Sequence, residues 1–200
     1  MDLCIFYKIN TDESTKKVLG YLIVMTWVDD CRYFGTPELV RKYEETISGN
    51  CKCTMEGETK EFVSIQVKHD MKERTIELTQ EDYWVKAVER FREYLPAGGP
   101  KPRLVPLSPA DERLLIEPTE KEMEEAKALP YASLLGVCQY PSAYTRLEMR
   151  YAMSVLSRWR TKWGKVHFAI LVKSLEYGYD TRKMGLKYGG ALLKEKTNVL

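Results

Sequence analysis

Short apolar runs broken by polar turns fill the first third of the chain, and helical spacing fills much of the rest. Residues 3–8 and 20–28 read as strands separated by the polar stretch Asn10–Lys17. Asp29 and Asp30 sit between two apolar runs, Tyr21–Val28 and Cys31–Phe34. That layout predicts strand, tight turn, strand, with the acids at the turn. Asp suits a turn because its short side chain bonds nearby backbone, and the flanking β-branched and aromatic residues suit a half-buried sheet. Thr36-Pro37 opens a helix, since Thr accepts from free amides and Pro fits the first turn. Leu39, Val40, Tyr43 and Ile47 form its buried side, and Ser48-Gly49-Asn50 ends it. Residues 51–55 and 61–69 read as further strands, with Val63, Ile65 and Val67 alternating with Ser64 and Gln66. Ile76 and Leu78 continue that hairpin.

From residue 79 the period changes. Thr79-Gln80-Glu81-Asp82 resembles a capping box, and Trp84, Ala87, Val88 and Phe91 fall at i, i+3, i+4 and i+7. Residues 96–109 hold five of the nine Pro and two Gly, which predicts a stiff linker. Thr119-Glu120-Lys121-Glu122 is a second capping box, and its helix should end before Pro130. Residues 131–140 and 146–160 read as helices broken by Pro141. In the second, Arg146, Arg150, Ser154 and Ser157 make a polar stripe beside an apolar stripe of Leu147, Tyr151 and Val155. Residues 165–177 read as a helix with Phe168, Leu171, Val172 and Leu175 inward, and Leu186–Gly190 as a short strand. No internal repeat or low-complexity tract is present.

Composition narrows the classes. Two hundred residues with 44% hydrophobic and 30% charged make ordinary globular material rather than a disordered tail. The net charge of +2 hides an asymmetry: residues 1–95 carry 14 Lys/Arg against 18 Asp/Glu, and residues 145–200 carry 12 against 4. A basic segment of that kind fits phosphate backbones, or simply a solvated helix face. Five Cys without a signal peptide predict reduced thiols and an intracellular protein, cytoplasmic or nuclear rather than secreted. Cys51-Lys52-Cys53 has no second pair at zinc-site spacing, and His69 and His167 are isolated. No apolar run is long enough to span a bilayer, so no membrane partner is expected.

Adjacent carboxylates on a hairpin repel each other and stay ionised most cheaply beside a cation. Alone, such a pair is also an ordinary solvated turn. Its surroundings change the reading. Trp27-Val28-Asp29-Asp30 resembles the aromatic-hydrophobic-Asp-Asp box of reverse transcriptases, with Trp where that family most often has Tyr. Further stretches resemble the polymerase of copia-type LTR retrotransposons, in order. Asp2–Lys8 looks like the strand before the box, and Phe62–Val67 like a Phe-Leu-Gly-hydrophobic strand, with Val63-Ser64 for Leu-Gly. Ile76–Tyr83 is similar to hydrophobic-x-Leu-Ser-Gln-x-x-Tyr, and Pro130–Gly136 to Pro-Tyr-Arg-x-Leu-hydrophobic-Gly. Thr145–Arg158 is similar to Thr-Arg-Pro-Asp-hydrophobic-x-Tyr-Ala-Val-Ser-x-Leu-Ser-Arg, and His167–Leu171 follows at the family's distance.

The resemblance covers nearly the whole chain and implies an α+β fold. A partial polymerase palm, with antiparallel strands, an Asp-Asp hairpin and one packing helix, would occupy 1–78. The first thumb helix would follow at 79–95, a Pro-rich linker at 96–118, and a helical thumb and connection region at 119–200. It implies an RNA-directed DNA polymerase in which Asp29 and Asp30 are catalytic and hold Mg²⁺ or Mn²⁺. Trp27, Val28, Phe62, Val63 and Ser64 would neighbour the primer terminus, and Lys86, Arg90, Arg146 and Arg150 would meet the nucleic-acid backbone. The partners would be an RNA/DNA template-primer and dNTPs, with the N-terminal half and the RNase H region of the polyprotein expected to be missing here. The family's third carboxylate has no counterpart, since the acids before Trp27 are Asp2, Asp12 and Glu13. The metal would then be held weakly or not at all, and the chain alone would polymerise nothing. The alternatives are a truncated or decayed, inactive nucleic-acid-binding remnant, or an unrelated α+β module with an incidental Asp-Asp turn.

Overall fold

The computed structural model describes residues 4–28, 30–55 and 57–189, and the chain divides into two compact units, Met1–Thr59 and Lys60–Leu200. The architecture is α+β, with seven α-helices and two antiparallel sheets among the described residues.

In the first unit, β1 (Ile5–Thr11), β2 (Val18–Trp27) and β3 (Asp30–Gly35) form a sheet in sequence order. The turn between β1 and β2 is tied by Asp12, whose carboxylate accepts from Ser14 N at 2.9 Å, Ser14 Oγ at 2.6 Å and Thr15 N at 2.7 Å. Those bonds, the Ser14 hydroxyl foremost, hold the Asp12 carboxyl down at about 2. Helix α1 (Pro37–Asn50) starts where Thr36-Pro37 predicts, though the Thr36 side chain makes no cap bond. It packs on one face of the sheet around buried Leu22, Val24 and Leu39, with Tyr33, Val40 and Tyr43 half-buried beside them. Gly35 is required there, because a Cβ would lie 2.2 Å from the Tyr21 carbonyl. The predicted strand at 51–55 does not form: these residues are irregular and exposed, and no described strand pairs with them. A lone strand leaves its ladder groups unpaired and has little to hold it.

The second unit pairs β4 (Glu61–Phe62), β5 (Ile65–Asp70), β6 (Thr75–Thr79) and β7 (Leu186–Gly189) in that order, so the predicted short strand at 186 returns to β6. Six helices follow β6: α2 (Glu81–Arg90), α3 (Pro109–Arg113), α4 (Glu120–Ala126), α5 (Tyr131–Tyr144), α6 (Arg150–Ser157) and α7 (Lys165–Asp180). The predicted stripes of α2 and α7 meet in the core, where Trp84, Ala87, Phe91, Phe168, Leu171 and Leu175 are buried. Gly178 admits Trp84, since a Cβ there would come within 2.2 Å of the indole. The capping box at Thr119 is present, with Thr119 N donating to Glu122 Oε2 at 2.7 Å. The one expected at Thr79 is not. Helix α2 starts after Gln80, and Glu81 N donates instead to Gln66 Oε1 of β5 at 2.8 Å.

Helix α5 passes through Pro141 rather than breaking there. Pro141 lacks the amide that would bond Val137, and the Tyr83 hydroxyl donates to that Val137 carbonyl at 3.0 Å in its place. The helix ends at Thr145, and a 3₁₀ turn at Leu147–Met149 leads into α6. The proline-rich segment is not a free spacer. Lys101 N donates to Glu176 Oε1 at 3.0 Å, Arg103 Nη2 to Glu176 Oε2 at 2.6 Å, and Ser174 Oγ to the Pro106 carbonyl at 2.7 Å. The segment is strapped along α7. No helix among the described residues is long and apolar enough to cross a membrane.

Candidate functional site

The acidic hairpin forms where its flanking strands predict. Trp27 at the end of β2 pairs with Asp30 at the start of β3, leaving a two-residue connection. Val28 is its first residue, 90% exposed and at φ +52°. A β-branched side chain in the left-handed region is strained, and such strain gathers at functional turns. Asp29 lies outside the described residues. Asp30 is exposed. Directly opposed residues share a sheet face, so Trp27 and Asp30 lie with Ile23, Met25, Arg32 and Phe34, away from the face that carries α1.

Asp30 also borders a cleft of about 530 Å³ beside β3, with Tyr33, Glu44, Lys52 and Cys53 among its walls. Glu44 is occupied there, accepting from the Tyr33 hydroxyl at 2.8 Å. Burial first, and then Glu44, push the Tyr33 phenol up to about 12, so it stays a donor at neutral pH. Burial and the Cys31 thiol, 3.3 Å away, raise Tyr43 in the same direction. Among the described residues no group of three or more His, Cys, Asp or Glu is placed to hold a metal. Asp12 and Glu13 sit at the other end of β2 from Trp27, roughly 30 Å away at strand rise. The described residues therefore do not complete a Mg²⁺ site, which asks for a near-octahedral set of oxygens.

The other expected site residues are dispersed. Phe62 pairs with Ile65 across a two-residue turn, Val63 at φ +49° and Ser64 at φ +57°. The Tyr140 hydroxyl of α5 donates to the Val63 carbonyl and anchors that turn. Ser64 thus stands, where the resembling family has Gly, in a conformation that favours Gly. Lys86 and Arg90 are exposed on α2, and Arg90 Nη2 donates to Ser133 Oγ at 2.9 Å.

Arg146 is a correction: it is fully buried and faces no solvent. Its Nε donates to Glu148 Oε1 at 2.7 Å, its Nη1 to the Gly178 carbonyl at 3.3 Å and its Nη2 to Thr181. The guanidinium lies 5.9 Å from the Trp84 ring and 5.5 Å from the Tyr177 ring. The stripes of α6 are rotated accordingly. Met149, Ala152, Met153 and Leu156 are buried with Val155 of the expected apolar stripe, whereas its Leu147 and Tyr151 are exposed, and Arg146 falls in phase with Met149 and Met153. Arg150 remains exposed. Next to Arg146, Thr145 Oγ1 donates to buried Gln80 Oε1 at 2.6 Å. Two distant sequence motifs, Leu-Thr-Gln and Thr-Arg, thus meet as one internal polar joint. Residue spacing did not reveal that joint, nor the Arg103–Glu176 pair; the available signal was Glu176, a lone acid beside Leu175 on the inward face of α7.

No family model matches the chain. Among curated proteins it is similar to the retrovirus-related Pol polyprotein from transposon TNT 1-94 of Nicotiana tabacum, 24% identical over 193 residues, which are 95% of this chain. The chain spans 14% of that polyprotein's length. No solved structure matches. The likeness supports a retrotransposon origin for the sequence.

Proposed function

We propose that the chain is the part of a copia-type reverse transcriptase that carries the Asp-Asp hairpin, the primer-side turn and their helical support. The observation that carries this is the hairpin itself. Trp27 pairs with Asp30 across a two-residue tip whose first residue, Val28, is left-handed, inside a 193-residue likeness to a Pol polyprotein. In this reading 1–78 serves as partial palm, 79–95 as the first thumb helix, and 119–200 as thumb and connection behind the segment 96–118. Asp30, with Asp29 beside it in sequence, would contribute carboxylates to a metal site that other residues complete. No metal-dependent step is assigned to the described residues alone. Trp27 and the Phe62–Ser64 turn would flank the primer terminus, and Lys86 and Arg90 would face the template-primer backbone.

A second reading, a nucleic-acid-binding remnant without synthesis, draws on Val63-Ser64. A non-glycine pair in left-handed backbone marks a turn that has lost its favoured residue. Primer extension separates the two. The 200-residue chain, and a longer chain preceded by the corresponding upstream polyprotein segment, are supplied with an RNA template, a DNA primer, dNTPs and Mg²⁺. Extension by the longer chain that is lost in Asp30→Ala supports the polymerase reading. Duplex binding without extension in either chain supports the remnant.

A further inference from the structure

A cavity of about 400 Å³ opens in the second unit at the N-terminal end of α7. Part of its wall is apolar, from Leu114, Ile116, Pro118 and Val166. Leu114 and Ile116 are 54% and 70% exposed on either side of Leu115, which packs against the core. The rest of the wall includes the first turn of the helix, Gly164 to His167. Gly164 is the N-cap and offers no side-chain acceptor to the amides that follow it.

His167 is the unusual member of this wall. Its side chain borders the cavity although the residue is only 2% exposed. Nδ1 accepts from Gly164 N at 3.1 Å, which puts the proton of the neutral ring on Nε2. Burial favours that neutral ring. Nε2 is itself buried and has no hydrogen-bond partner among the described residues. The Ile116 backbone is near enough to favour the charged ring, yet it stands outside hydrogen-bonding geometry with Nε2. A buried donor left unpaired is costly, and an acceptor placed in the adjoining cavity would relieve the cost.

The acids of the wall are already engaged. Glu122 Oε2 accepts from Thr119 N at 2.7 Å and Thr119 Oγ1 at 2.8 Å, and Glu125 pairs with Lys165 at 2.8 Å. Arg113, exposed at the rim, enters no ion pair among the described residues. The uncommitted groups are therefore donors: the His167 Nε2–H, the first-turn amides of α7 and the Arg113 guanidinium. A helix N-terminus favours a negative head group, and the apolar wall favours a hydrocarbon body.

We infer that this cavity binds a small apolar molecule headed by a carboxylate, with His167 Nε2–H as its buried donor and Arg113 at its rim. The site stands independently of the polymerase reading.

The test titrates octanoate into the full chain at neutral pH and follows the histidine rings by ¹⁵N NMR. The chain holds two histidines, so His69 of β5 serves as the internal reference. The His167 Nε2 resonance should move saturably while the His69 ring stays still. Octanol, with the same body and no charge, should bind about tenfold more weakly, because it forfeits the charge-assisted bonds. Val166→Trp fills the cavity from a half-exposed position and should weaken octanoate about tenfold. His167→Phe removes the donor and should weaken it by about as much. Should His167→Phe unfold, Val166→Trp and Arg113→Gln still decide. Arg113→Gln should weaken octanoate about threefold and leave octanol unchanged. The inference is overturned if the His167 resonance does not move, if it moves without saturating, if octanol binds as tightly as octanoate, or if Val166→Trp binds like wild type. This readout needs no template, primer or metal, so its failure and the failure of primer extension are separate results.

Discussion

The two units bury themselves very differently. The second closes a core around α7 in which Trp84, Leu134, Leu156, Leu171 and Leu175 are wholly inaccessible. The first, among its described residues, buries three apolar side chains, Leu22, Val24 and Leu39. It leaves Ile5, Tyr7, Ile9, Tyr21, Trp27 and Phe34 more than two-fifths exposed. A sheet with one covered face has half the driving force of a sandwiched one. The acidic hairpin is therefore built on the thinner foundation, while the helical half holds its shape by packing.

Trp84→Ala should be the severest cut, costing about 3–5 kcal/mol because the indole fills the space opposite Gly178. Hydrogen exchange should then accelerate through residues 81–180 and leave β2 and β3 unchanged. Equal acceleration in both units would erase the contrast. Leu39→Ala should cost about 2–3 kcal/mol, confined to β2, β3 and α1, and abolish protection there because little other core remains. Val63→Asn with Ser64→Gly should add about 1 kcal/mol to the second unit, since both positions are left-handed. An unchanged urea midpoint would mean that the Tyr140 anchor already absorbs the strain.

The smallest effect is titrational. Burial lowers the His167 pKa below its ordinary 6.5. Nδ1 accepts from Gly164 N at 3.1 Å, which favours the neutral ring. The unfolded chain then takes up the proton first as pH falls, so the second unit's stability is full above about 6.5 and declines below it. Thermal melts from pH 8 to 5 should show the decline in wild type and a flatter profile in His167→Gln.

Element by element, the legible parts were those with local causes. The strands around the acidic turn, the Thr36-Pro37 helix start, the Thr119 box and the inward face of α7 all follow from short-range chemistry. The misread parts depend on distant partners. Pro141 does not end its helix because Tyr83, fifty-four residues before Val137, supplies the bond the proline cannot. Arg146 reads as solvent-facing because Arg usually is; Trp84, Tyr177 and Glu148 make its interior tolerable. Residues 51–55 alternate like a strand but pair with no strand among the described residues. Of the candidate residues, the hairpin was legible and the burial of Arg146 was not, because that depends on where the 3₁₀ turn at Leu147–Met149 sets the phase of α6.

The strap along α7 bears on which changes of length the chain tolerates. Loops rich in proline ordinarily absorb insertions and deletions with little consequence. Here the amides of Lys101 and Arg103 and the carbonyl of Pro106 are indexed to Glu176, Asp180 and Ser174. One residue gained or lost between Lys101 and Pro106 would shift the ruler by a notch, strand the Glu176 carboxylate in the interior, and turn an apparently permissive stretch into one of the least forgiving places to edit.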